Sequence, residues 1–214
     1  MEGDVTRQCV VLADVIDSRD LGDRESFGDD LDETLAGLNE TLTGSITAEF
    51  TPLKGIDEFG GVLDSPRRVY DVLRQVADGL FPVEVRFGVA YDTVDVMPES
   101  DVALMDGPAF HRADELLGAV ESAGDLVGVD TGDPLRDGYL RDVANLVLTL
   151  RSDWTARQFE VVTTYRETGS QTATAERLGV SQQAVSSALR RSHYGRIDRA
   201  ETHLRRMLAG DDPR

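Results

Sequence analysis

The sequence predicts an α+β protein: a mixed sheet-and-helix domain over residues 1–150 followed by an all-α domain over residues 151–214. Two patterns predict it. Apolar residues alternate between strand and helix periods as far as residue 130 and keep only the helical period afterwards. Charge divides at the same place: residues 151–214 carry 11 Arg against 8 acids, leaving net −21 on residues 1–150 out of −18 for the whole chain. The two parts are therefore expected to face different partners.

Gln8 to Val15 is apolar and β-branched enough for a buried strand, and it ends among Asp14, Asp17, Ser18 and Arg19. Glu25 to Leu42 places Phe27, Leu31, Leu35, Leu38 and Leu42 at steps of three and four, the stripe of a helix. Ile46–Leu53 and Phe59–Leu63 read as a β-hairpin with Lys54, Gly55, Ile56, Asp57 and Glu58 at its tip. Ser65 and Pro66 fit a cap and first turn, opening a helix to about Asp78 that Gly79 ends. Val83–Val94 is a further strand, Gly107–Ser122 an amphipathic helix and Leu126–Val129 a short strand. The order β-α-β-β-α-β-α-β, with its central hairpin, suggests a ferredoxin-like or palm-like sandwich. Leu135–Leu150 is a helix that docks on this domain or bridges to the next, and no Pro-, Gly- or Ser-rich linker marks the boundary near Arg151.

Beyond that boundary, Asp153 is expected to cap a helix carrying Trp154, Phe159, Val162 and Tyr165 and ending at Gly169. Ser170 and Gln171 open a shorter helix with Ala175 and Leu178 inward. Gly179 makes a turn, Val180 fills the core, and Ser181 caps a helix bearing Val185 and Leu189. The run WTARQFEVVTTYRETGSQTATAERLGVSQQAVSSALRRS resembles the helix-turn-helix of sigma-factor region four. That resemblance implies a recognition helix presenting Gln182, Gln183, Ser186, Ser187, Arg190 and Arg191 to double-stranded DNA, where Gln suits adenine edges and Arg suits guanine or phosphate. The same helices could instead form a dimerisation or protein-docking bundle.

Lys54 is the one lysine among 22 basic residues, and 40 acids give a pI near 4.4. This balance resembles proteins of salt-accumulating halophiles and points to a halophilic prokaryote, an archaeon first, with an acidic protein from a GC-rich genome as the alternative. A single Cys9 in an apolar run offers neither a disulfide framework nor a zinc quartet. The start MEGDVTRQCVVLADVID lacks the pattern of a signal peptide, and no stretch is apolar enough to span a membrane, so a cytoplasmic location is expected.

Three segments, VVLADVIDSR, KGIDEFGGVL and VRFGVAYD with DGPAFHRADEL, together resemble the SatD family. That family supplies no settled activity to carry over. The same order is more distantly similar to class III nucleotidyl cyclases and GGDEF domains, in which an acid ending the first strand and an acid at the hairpin hold magnesium beside a nucleotide. By that likeness Asp14 and Asp57, with Glu58, would be the metal ligands, a set of hard oxygens suited to magnesium. Lys54, Arg86, His111 and Arg112 would surround a nucleotide or another anionic small molecule. Two departures weigh against catalysis. His111 and Glu115 stand where the cyclases place an Asn and an Arg, and Ile56 replaces a glycine that lets backbone approach phosphate. Each residue also has a plainer role open to it: Asp17 and Ser18 as caps, Arg112 in a local ion pair, His111 as a satisfied buried histidine.

The sequence thus leads to a DNA-binding transcription regulator, expected to be a homodimer, whose cyclase-like front domain senses a ligand or mediates assembly. A magnesium-dependent nucleotide-processing enzyme using Asp14 and Asp57 is the first rival, and an interaction scaffold the second.

Overall fold

The computed structural model describes residues 7–95 and 102–210; the first six residues of the leader reading lie outside them. The order of elements is β1 (Arg7–Val15), α1 (Arg24–Leu42), β2 (Ile46–Lys54), β3 (Glu58–Leu63), α2 (Val69–Gly79), β4 (Val85–Thr93), α3 (Pro108–Ala123), β5 (Val127–Asp130) and α4 (Pro134–Ser152). Four helices complete it: α5 (Ala156–Thr168), α6 (Gln171–Leu178), α7 (Gln182–Arg191) and α8 (Tyr194–Ala209). The protein is mixed α/β, with one five-stranded sheet in the order β2-β3-β1-β4-β5. All neighbours are antiparallel except β4 and β5.

β1 is central, so its side chains are buried on both faces, which explains a nearly continuous apolar run where a half-exposed strand would alternate. Cys9, Val11, Ala13 and Val15 enter a core with Leu31 and Leu35 of α1 and Val72 and Leu73 of α2. Val10 and Leu12 pack with Ala109 and Ala113 of α3 on the other face. Helix α3 lies unusually close to the sheet, because a Cβ at Gly88 would sit 2.1 Å from the Ala113 carbonyl oxygen. Burial also holds the Cys9 thiol far above its ordinary pKa, as expected of a core cysteine.

The five expected residues of α1 are the ones it buries. Three expected helix signals act differently. Pro66–Arg68 forms a separate 3₁₀ turn before α2, and the Ser65 hydroxyl bonds to Asp64 rather than capping. Gly79 is the last residue of α2, not a left-handed stop: a Cβ there would meet Thr34 Oγ1 at 2.3 Å, so glycine lets α2 approach α1. Asp153 ends α4, whereas α5 is opened by a capping box in which Thr155 and Gln158 exchange bonds. Trp154 consequently sits between the two helices, buried, with Nε1 donating to the Ser192 carbonyl at 3.0 Å.

Helix α4 does both of the things expected of it, packing on β5 and on α8. Its Asn145 closes the outer edge of β5, accepting from the Leu126 and Val127 amides at 2.6 and 3.0 Å and donating to the Val127 carbonyl at 2.9 Å. Apolar packing runs without interruption from the sheet into the last helices: Val162, Val185, Ile197 and Leu204 share one core with Val11 and Leu73. Arg151 is buried at the junction, ion-paired with Asp78 of α2 and, at 3.2 Å, with Glu201 of α8. Arg166 of α5 completes the network at 2.7 Å from Glu201 and 3.4 Å from Asp78.

Candidate functional site

Asp14, the last polar residue inside β1, lies opposite Glu58 on β3 and Arg86 on β4. Arg86 is 3.0 Å from Asp14 and 3.3 Å from Glu121 of α3, and Lys54 is 2.7 Å from Glu58 across the hairpin. This end of the α3 face thus holds Asp14, Glu58, Lys54 and Arg86 in mutually compensating pairs. Burial raises the Asp14 pKa against the opposing pull of Arg86, while Glu58 raises that of Lys54.

Asp57 belongs elsewhere. It lies in the turn where Gly55 takes φ +60°, and its carboxylate meets Arg24 of α1 at 3.4 Å. A bond from Ser18, with Arg24 nearby, lowers its pKa. The Ser18 carbonyl in turn accepts from Arg24 at 2.6 Å. Ile56, in the place of the missing glycine, is half-buried and stands 3.6 Å from where a Cβ on Gly28 of α1 would lie, so it packs the tip onto the helix.

As a magnesium site this arrangement does not fit. The Asp14 and Asp57 carboxylates are drawn by different arginines toward opposite faces of the sheet, and both would have to leave those partners to share an ion. Among the described residues no group of three or more His, Cys, Asp and Glu could hold a metal.

The four anion-binding candidates are divided as well. Lys54 and Arg86 share the Asp14 end, whereas Arg112 sits one helical turn into α3 and bonds to Asp130 at 2.7 Å and Glu115 at 3.0 Å. From Arg112 to Glu121, the partner of Arg86, the helix rises about 14 Å. Arg112 therefore takes the local ion pair that was its plainer role. His111 is not a buried histidine, its side chain being 72% exposed and 3.3 Å from Asp106. The DGPAFHRAD segment is tied to architecture: Gly107 has φ +141° and no room for a Cβ beside Asp95, and Ala109 and Ala113 are fully buried against the sheet. Asp17 takes a left-handed conformation before a 3₁₀ turn and makes no capping bond.

Two concavities bear on ligand binding. One, of about 40 Å³, is lined by Phe81, Phe87, Leu148, Trp154 and Phe159 and has little more room than a few waters need. A wider groove between α1 and α2 presents Asp30, Glu33 and Asp78, the wrong sign for an anion.

Among the last four helices, α6 ends at Gly179 with φ +64°, and Ser181 caps α7 by accepting from the Ala184 amide at 3.2 Å. Val185, Ala188 and Leu189 bury the inner face of α7. Gln182, Gln183, Ser186, Arg190 and Arg191 are exposed on the outer face, and Ser187 is half-buried at its margin. Arg190 and Arg191 have no ion pair among the described residues, whereas Arg157 and Arg177 nearby are held by Glu160 and Glu167. Sequence reasoning missed the Arg151, Asp78, Glu201 and Arg166 network and the Asn145 clasp. Their partners lie too far apart in sequence for any local spacing to join them.

No curated protein matches the chain. Two solved structures of a bacterial light-regulated adenylyl cyclase are similar over 57% of it, at 13% and 14% identity, each with a TM-score of 0.40. The matched part spans 42% of the first of those chains and 74% of the second. A regulator of polyketide synthase expression from Bifidobacterium adolescentis is similar over 97% of this chain and 86% of its own, at 14% identity and a TM-score of 0.26. One family accounts for nearly the whole length: the chain matches the SatD family over residues 8–202 and belongs to it.

Proposed function

We propose that this SatD-family protein is a DNA-binding transcription regulator that works as a homodimer. In this reading α5–α8 form a helix-turn-helix head for double-stranded DNA. The sheet part, read as a ferredoxin-like, cyclase-like body from its βαββαβ order and antiparallel core, senses an anionic ligand or mediates assembly. The observation that carries the proposal is the outer face of α7: a capped helix behind a glycine turn presents two glutamines, two hydroxyls, one of them half-buried, and two arginines without an ion pair among the described residues. Glutamine and arginine are the side chains that pair bidentately with adenine and guanine edges in a major groove. Net −18 opposes approach to DNA, but that repulsion is screened within about 8 Å at physiological ionic strength, so the local polarity of the head governs contact.

The test is a mobility-shift titration of the full chain against fragments of its source genome. A fragment should shift, and Arg190→Ala with Arg191→Ala should weaken that shift about 10-fold or more and flatten its salt dependence. Asp57→Asn should leave the shift unchanged. Failure to shift any fragment between 0.1 and 2 M KCl would overturn the proposal.

A further inference from the structure

Helix α4 buries Leu140, Ala144, Val147 and Leu148 inward, yet it turns a second apolar stripe to solvent. Leu135, Tyr139 and Leu146 are 72%, 59% and 61% exposed, and Val143 and Leu150 lie between and beyond them, half-buried with part of each side chain packed on the core. The steps of four, four, three and four keep these five residues on one side of the helix. Three of the four large hydrophobic residues most exposed among the described residues fall on this one element. Single exposed leucines need no explanation, whereas a stripe running the length of a 19-residue helix does.

We infer that α4 is the interface of a two-fold dimer, pairing antiparallel with α4 of a second copy of this chain. Three observations select a second copy over another partner. First, the two ends of the stripe are self-complementary: about a point between Asp142 and Val143, Leu135 faces Leu150 and Tyr139 faces Leu146, the same pairs recur on the other side of the axis, and Val143 alone meets a polar residue, Asp142. An isologous contact requires that property, and a partner of different sequence would have no reason to impose it. Second, the stripe is nearly free of charge on a body of net −21. Its one acid, Asp142, stands beside the axis with Arg141 of the same helix 2.8 Å away, so the charge that the two copies bring together there is partly offset. Third, the area reaches the threshold of a weak dimer. The helix is about 28 Å long, and a strip of that length and about 10 Å wide covers roughly 280 Å² in projection and, with its side-chain relief, hides on the order of 500 Å² per partner, about 1,000 Å² in all. Gly138 and Thr149, small residues along the margin, let the helices come close.

This surface deepens the homodimer proposed above, but it is tested without DNA, so its failure and that of the DNA-binding reading remain distinguishable. The full chain is measured by sedimentation equilibrium from 1 to 100 µM. A mass rising to twice 23.4 kDa is expected, and a monomer throughout would overturn the inference. Leu135→Glu with Leu146→Glu should leave a monomer whose circular dichroism and melting match those of the dissociated wild type. A dimer that survives both substitutions would overturn it as well. Leu104→Glu, at an equally exposed leucine away from α4, should leave the dimer intact. Orientation is read by cross-linking: Asp142→Cys, beside the axis, should join to its own copy under mild oxidation, and Leu135→Cys should not. The reverse pattern would exclude the antiparallel register.

Discussion

Asp14 and Asp57, the two carboxylates with which sequence resemblance furnished a metal site, have their pKa values moved in opposite directions by their surroundings. Burial raises the pKa of Asp14, so the folded state takes up a proton before the unfolded chain does, and stability falls as pH rises from 3.8 through that raised value. A bond from Ser18 and the charge of Arg24 lower that of Asp57, so its contribution is present above 3.8 and is lost as pH falls through the depressed value. Asp14→Asn should therefore flatten the melting profile above pH 3.8, and Asp57→Asn should flatten it below; melting temperatures from pH 2 to 6 read both. A shared profile for the two variants would mean that the carboxylates act as one site after all. The residues at the strand end and the hairpin tip could be picked out from the sequence, but their partners could not. Arg86 stands 72 positions from Asp14, and which face each carboxylate takes is set by strand register.

Elements were the most legible scale, because burial on one side imposes a period that the sequence must carry. The stripe of α1 and the caps at Ser170 and Ser181 are local patterns and are found where the pattern puts them. What misled was glycine. Gly79 looks like a breaker in a one-dimensional reading and Gly88 carries no signal at all inside its strand, yet each is a point where two elements touch. Gly88→Ala should force α3 off β4 and lower stability by about 1–3 kcal/mol in urea denaturation, without altering the α7 face. Asn145 is a second such point, since its side chain takes the place of a sixth strand. Asn145→Leu should cost about 2–3 kcal/mol, as two amides and a carbonyl lose their partner, and it opens β5 to pairing with other chains. Concentration-dependent scattering on warming would report that exposure.

For the whole molecule, the network around Arg151 joins four helices from α2 to α8. Removing one member leaves buried charge uncompensated, so Arg151→Met should destabilise the full chain by about 3–5 kcal/mol. It should also melt the sheet and the last helices together, because one core serves both. Two separate transitions by calorimetry would show that residues 151–214 fold on their own. The division at residue 150 is plain in composition but invisible in packing, since charge marks what a surface meets and says nothing of what lies beneath it.

The same network sets an order of events at synthesis. Arg151 is made 73 residues after Asp78, and Glu201 follows 50 residues later. At about 5–20 residues per second, the nascent sheet and α4 wait several seconds with Arg151 held by one carboxylate of its two. During that interval the carboxylate of α8 that closes the network does not yet exist, so the buried charge at the junction is balanced only once α8 has been made.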